Sequence, residues 1–291
     1  MTDLAAILDN LAISEVEPLN YHGQPNDWPN RHVFGGHVLA QAVDAATRTV
    51  DKSLSLHSLH SYFLRAGKAD LPISYSVDVL RDGRSFSSRR VVAYQDHQAI
   101  YSIGLSFHAG EPGYEHQPQM PEVPDPDTLP YGAGYYGRFI RLFKRDEDPF
   151  QHLPFEARAV TPVDVDDPKP MPAKGGHWLR LRGTIGDDPA LHERLLAYIS
   201  DFGFMSSLLR PHGILPSHPT VGRLASLDHA MWFRTTDFRV DDWLYYETEG
   251  LWMKSGRGLC RGNIYRRDGT LIASTAQEGL IRLKSSDEPK A

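Results

Sequence analysis

The sequence predicts an α+β fold written twice, each copy a buried helix with an antiparallel sheet around it. Three observations predict it. Val33 to Ala46 is a run of small and apolar residues, hydrophobic nearly all round, so a helix there is buried. Leu54 to His108 changes to strand patterns punctuated by turn residues. The second half repeats the order, with a helix after Asp188 and strands following as far as Arg282.

The elements follow in order. Leu4 to Leu11 reads as a short amphipathic helix, and the polar stretch Tyr21 to His32 as an extended lead-in. Gly35 and Gly36 open the first buried helix. They let backbone approach closely and leave free N–H groups that could bind an anion or a developing oxyanion. Tight helix–sheet packing with no ligand is the equally open alternative. Strands are expected at Ser58–Leu64, Pro72–Leu80, Ser85–Tyr94 and Ala99–Phe107, with an Asp82-Gly83 turn and another near Asp96. Ala109 to Asp127 carries five prolines and reads as an extended linker. Leu129 to Phe150 is aromatic and suited to cover a sheet. Phe155–Thr161 and His177–Gly183 are strand candidates around a Pro/Lys/Asp loop. Asp188-Pro189 is an N-cap with proline at the first helical position. That helix carries Leu191, Leu195, Ile199 and Phe202 on one side and is stopped by Pro211 at the latest. Leu224–Phe233, Leu244–Leu251, Gly256–Tyr265 and Leu271–Arg282 read as the closing strands. Ser58–Phe63 is a weak echo of Leu224–Phe233. One buried helix wrapped by an antiparallel sheet, twice over, is a double hotdog. The expected division is 1–108 for the N-terminal repeat, 109–150 for the linker and covering segment, and 151–291 for the C-terminal repeat.

Composition narrows the function. The 291 residues carry a formal charge of −6, which argues against broad nucleic-acid or anionic-membrane binding. The one cysteine, Cys260, excludes an intrachain disulfide and sits where a small buried hydrophobe is expected. The N-terminus lacks a signal-peptide pattern and no run of about 18 apolar residues occurs, so the cytoplasm is the expected compartment. The 14 histidines are scattered without His-Glu-x-x-His or Cys-x-x-Cys, so no metal is expected.

Phe34-Gly35-Gly36-His37-Val38-Leu39-Ala40-Gln41-Ala42, Leu59-His60-Ser61-Tyr62-Phe63-Leu64 and Leu80-Arg81-Asp82-Gly83-Arg84-Ser85-Phe86 resemble the type II acyl-CoA thioesterases, the bacterial TesB group and its peroxisomal relatives. Ser226-Leu227-Asp228-His229-Ala230-Met231-Trp232-Phe233 and Ala273-Ser274-Thr275-Ala276-Gln277-Glu278-Gly279 are similar to that family too. The resemblance runs over about residues 10–283. It implies a double hotdog that hydrolyses acyl-CoA to a fatty acid and free coenzyme A. It implies a helix Asp, a hydroxyl and a Gln that hold the attacking water. These fall on Asp201, Ser226 and Gln277. Many relatives carry Thr where this chain has Ser226, so the hydroxyl survives on a freer rotamer. Gly35 and Gly36 are candidate oxyanion or substrate-binding positions. Coenzyme A belongs to the substrate, so no separate cofactor is implied. A homodimer or homotetramer is expected by the same resemblance.

The residue types suit the chemistry. Thioester hydrolysis needs a held water, a base and oxyanion donors. Asp201 offers the base, while Ser226 and Gln277 can each donate and still accept. Ser226, Asp228 and His229 tempt a serine-hydrolase reading. Unbroken strand alternation puts His229 on the face opposite Ser226, and no Gly-x-Ser-x-Gly elbow is present. Asp228 and His229 are therefore expected to be scaffold. Arg81, Arg84, Arg89, Arg90, Arg257, Arg261, Arg266 and Arg267 offer local positive charge for phosphates, most as solvated strand ends. Two rivals stay open: a hotdog hydratase or dehydratase, which needs a His beside the helix Asp, and a non-catalytic acyl-CoA-binding protein.

Overall fold

A computed structural model describes residues 4–25, 32–130, 155–164 and 166–284. Its helices are α1 (Leu4–Asn10), α2 (Gly35–Thr47), α3 (Pro189–Ser200) and α4 (Ser206–Leu209). The strands of the first half are β1 (Ile13–Glu17), β2 (Asn20–Gly23), β3 (Ser55–Phe63), β4 (Ile73–Asp82), β5 (Phe86–Gln95) and β6 (Gln98–His108). Those of the second half are β7 (Phe155–Ala159), β8 (Lys174–Leu181), β9 (Val221–Ser226), β10 (Asp228–Phe233), β11 (Leu244–Lys254), β12 (Arg257–Arg266) and β13 (Leu271–Leu283).

Among the described residues the strands make one sheet, ordered β1-β2-β4-β5-β6-β3-β10-β13-β12-β11-β8-β7, with β9 also on β13. Outward from the central β3–β10 pair the two halves match strand for strand: β6 with β13, β5 with β12, β4 with β11. The two echoed segments are thus the seam itself, Tyr62 opposite Asp228 and His60 opposite Ala230. Helices α2 and α3 pack on each other, and one core joins them to the sheet through residues such as Val43, Leu195, Ile199, Ile103 and Ile264. Ala40, Ala42, Ala45 and Ala46 of α2 are fully buried, and their small side chains permit the close approach. Gln41 survives in this apolar helix because its polar atoms are used. Its amide donates to the carbonyls of Asn10 and Gln24 and accepts from the Tyr75 hydroxyl.

The Pro-rich linker straps the second half. Gln117 donates to the Gly269 carbonyl and accepts from the Leu271 N–H. Trp178 donates to the Pro124 carbonyl, and Met120, Val123 and Leu129 pack on the Trp178–Trp243–Tyr245 cluster. The aromatic cover expected at Leu129–Phe150 lies outside the described residues beyond Pro130.

Three elements differ from expectation. The hairpin β1–β2 was not visible, because its short polar strands lack alternation. Helix α3 ends at Ser200, well before Pro211, and Asp201 is its C-cap. Gly203 takes φ +67° and turns the chain, while Phe202, Phe204, Leu208 and Leu209 keep the apolar rhythm going beyond the helix. The third is the most consequential. The segment expected as one strand, Leu224–Phe233, is bulged. Ser226 opposes Gly279 and Ala230 opposes Ala276, so four steps on one strand meet three on β13. Asp228 pins the bulge by accepting from the Glu278 N–H at 2.7 Å. One extra residue resets the alternation, so Ser226 and His229 both face inward. The expectation that His229 points away from Ser226 is corrected, and its fault was assuming an unbroken period of two.

Candidate active site

Three elements converge where α3 ends. The helix terminus presents Asp201, the end of β9 presents Ser226, and the inward face of β13 presents Gln277. Ser226 Oγ donates to Asp201 Oδ1 at 3.4 Å, and Gln277 Nε2 donates to Ser226 Oγ at 2.8 Å. The first contact is long for a charge-assisted O–H···O bond of about 2.5–2.7 Å, so Ser226 is held only weakly to the carboxylate. Gln277 is buried, whereas Asp201 and Ser226 keep some surface, so the site opens on their side.

Burial raises the Asp201 carboxyl from its ordinary range to about 7, against hydrogen bonds from Gln277, the Gly36 N–H and Ser226 that favour the charged form. The residue retains surface but the carboxylate is closely enclosed, and the enclosure dominates its proton affinity. The glycine pair is part of that enclosure. A Cβ on Gly35 would lie 2.4 Å from Asp201 Oδ2, and one on Gly36 would lie 2.2 Å from the Tyr198 carbonyl oxygen. The Gly35-Gly36 turn of the first half therefore seats the carboxylate of the second, and the Gly36 N–H is directed at Asp201. Gly36→Ala must push two backbones apart, and we expect a loss of about 1–3 kcal/mol in urea unfolding.

His229 belongs to this neighbourhood, which sequence reasoning missed. Its Nδ1 lies 2.6 Å from Gln277 Oε1 and its Nε2 2.9 Å from Ser200 Oγ. Asp228, by contrast, is the bulge pin described above. Asp44, the acid of α2, is held by Arg48 and Arg194 and stands apart from the site. Cys260 is buried, with its thiol held protonated by burial.

Of the eight arginines considered for phosphate binding, six are in ion pairs: Arg89–Asp82, Arg90–Asp78, Arg257–Glu278, Arg261–Glu249, Arg266–Asp237 and Arg267–Asp127. Arg89 is also buried, which corrects its reading as a solvated strand end. Cross-strand carboxylates satisfy Arg89, Arg90, Arg257 and Arg261, a pairing that depends on register, while Arg266 and Arg267 pair with acids of loop and linker.

The architecture is that of the hotdog class. A solved protein of unknown function with a hot dog fold, from Alicyclobacillus acidocaldarius, matches 96% of this chain with a TM-score of 0.76 at 17% identity, a likeness of fold alone. The family models for the acyl-CoA thioesterase N-terminal and C-terminal domains match residues 24–108 and 118–281. Acyl-coenzyme A thioesterase 8 of Mus musculus is 38% identical over 97% of this chain and 92% of its own length. Acyl-CoA thioesterase 2 of Haemophilus influenzae is 35% identical, covering 96% and 99%. The crystal structure of an acyl-CoA thioesterase II from Mycobacterium marinum is 39% identical, with a TM-score of 0.79 over 96% of this chain and 99% of that one. The chain belongs to the acyl-CoA thioesterase family, and it is a thioester hydrolase.

Proposed function

We propose that this enzyme hydrolyses fatty acyl-CoA by direct attack of water, with Asp201 as base and Ser226 and Gln277 as the groups that hold the water. The observation that carries the reading is the convergence of the Ser226 and Gln277 side chains on the Asp201 carboxylate. As the water oxygen bonds to the thioester carbon, Asp201 takes its proton. When the C–S bond breaks, the leaving thiolate takes that proton, releasing a carboxylic acid and free coenzyme A. General-base help of this kind contributes about 10²–10⁴ in rate. No cofactor is needed, because coenzyme A arrives as part of the substrate. Phe63 lies beside Gly35, and Phe34 packs edge-on to Phe202, so apolar rings suited to an acyl chain border the carboxylate.

Neither rival gains support. A hydratase needs a His beside the acid, and His229 stands behind the amide of Gln277. A binding protein would not need a base with its carboxyl raised to about 7. We also propose a cytoplasmic homodimer or homotetramer. Among the described residues no helix is long and apolar enough to cross a membrane. Exposed apolar side chains gather at two hairpins, Val79, Leu80 and Phe86 in one and Leu251, Trp252 and Leu259 in the other, which supports self-association.

The test is free-thiol release from acyl-CoAs of graded chain length. We expect release from at least one, with no acyl adduct on Ser226 by mass spectrometry during turnover. No release at any length overturns the function. A Ser226 adduct overturns direct water attack and leaves the function standing.

A further inference from the structure

Asp201, Ser226, Gln277 and His229 close into a ring, because the far side of His229 returns to Ser200, the residue before Asp201. Its contacts are Ser226 to Asp201 at 3.4 Å, Gln277 to Ser226 at 2.8 Å, His229 to Gln277 at 2.6 Å and Ser200 to His229 at 2.9 Å. Proton counting gives the ring a direction. An ionised carboxylate only accepts, so Ser226 donates to it. The Ser226 oxygen then accepts a hydrogen bond from the NH₂ of Gln277. The other end of that amide is a carbonyl oxygen, which only accepts, so His229 carries its proton on Nδ1. Burial pulls His229 down to about 4, so the ring is neutral and Nε2 is left as an acceptor that competes with the Ala197 carbonyl, also 2.9 Å away, for the one hydrogen of the Ser200 hydroxyl.

We infer that His229 is a positioning residue, which holds the Gln277 amide with its NH₂ toward Ser226 and Asp201. Turned over, the amide would aim its oxygen at the carboxylate; Ser226 would lose the donor it accepts from, and the carboxylate would keep only the Gly36 N–H and Ser226. The shapes of the two amide ends are nearly the same, so packing alone discriminates poorly between them. The Nδ1–H of His229 discriminates by charge. The bulge at Leu227 and Asp228 is what delivers the ring to this place, and Ser61 steadies it by donating to the His229 carbonyl at 2.9 Å. His229 is not itself the base. The Gln277 amide stands between it and Ser226, and its Nε2 faces Ser200.

The inference rests on the proposed roles of Asp201, Ser226 and Gln277, and a double-mutant cycle separates the two. We expect His229→Leu to lower kcat about 10–100-fold with KM within about threefold, the size of effect a misplaced group produces. His229→Asn, whose amide can donate from near the Nδ1 position, should restore kcat to within about fivefold of the wild type. On a Gln277→Leu background, His229→Leu should cost nothing further, because nothing is left to orient. Additive losses in the cycle, or an undiminished kcat in His229→Leu while Gln277→Leu is damaged, overturn the positioning role alone. An undiminished kcat in Gln277→Leu overturns the proposed site and this inference with it. Should His229→Leu fail to fold, His229→Asn is compared with His229→Gln, which moves the donor to the Nε2 side. Asn must then be the more active, and equal activity overturns the role.

Discussion

Asp201→Asn should lower kcat about 10²–10⁴-fold, the range that general-base help supplies. The substitution is chosen because it preserves shape. Asparagine keeps an oxygen to accept from the Gly36 N–H and fills the same space against Gly35, where only glycine leaves room. What it loses is the ability to take a proton. A base acts in the transition state and contributes little to substrate affinity, so kcat and kcat/KM should fall together with KM nearly constant. The pH profile is the sharper readout. Burial places the Asp201 carboxyl near 7, so the base is ionised above that pH and protonated below it. Wild-type kcat/KM should therefore fall on the acid side of about pH 7, and the residual activity of Asp201→Asn should lack that limb. Full activity in the variant, or an acid limb that survives it, excludes Asp201 as the base.

How much of this site the sequence discloses depends on the range of the interaction. The buried helices are legible because their signal is local: an all-round apolar run after Gly35-Gly36, and a capped run after Asp188-Pro189. Asp201, Ser226 and Gln277 are identifiable through resemblance, since a helix-end acid, a strand serine and a strand glutamine are ordinary when taken singly. His229 was discounted for a physical reason. The bulge at Leu227 and Asp228 has no glycine or proline to announce it, and it depends on the Glu278 N–H fifty residues away. One inserted residue then inverts every inference drawn from alternation. The glycine pair is half legible. Close approach is written in the residue type, but that the neighbours are the Tyr198 carbonyl and the Asp201 carboxylate follows only from the packing of α2 on α3. The arginines show the same limit. Their charge is visible, but their partner carboxylates are set by strand register for four of them and by loop and linker packing for Arg266 and Arg267.

The same Asp201→Asn variant should be more stable than the wild type at pH 8, by about 2–4 kcal/mol, with the advantage gone by about pH 4. Burial raises this carboxyl from 3.8 to about 7, so the folded state holds its proton more tightly than the unfolded chain does. Below about pH 4 the group is protonated in both states and costs nothing. Between about 4 and 7 the unfolded chain ionises freely while the folded state resists, so stability drains away as pH rises, and above about 7 the full cost stands. At about 1.36 kcal/mol per unit the shift corresponds to roughly 4 kcal/mol. The residue keeps some surface toward solvent, which screens the charge and favours the lower part of the range. Asparagine has no charge to bury and escapes the cost at every pH. Urea unfolding of both proteins at pH 8, 6 and 4 measures it. A difference that does not change with pH, or a variant less stable at pH 8, would show that the enclosure by Gly35, Gly36 and Gln277 does not oppose ionisation. A positive result ties stability to mechanism, since the enclosure that makes the ionised carboxylate expensive also places its proton affinity where it can take a proton from water near neutral pH.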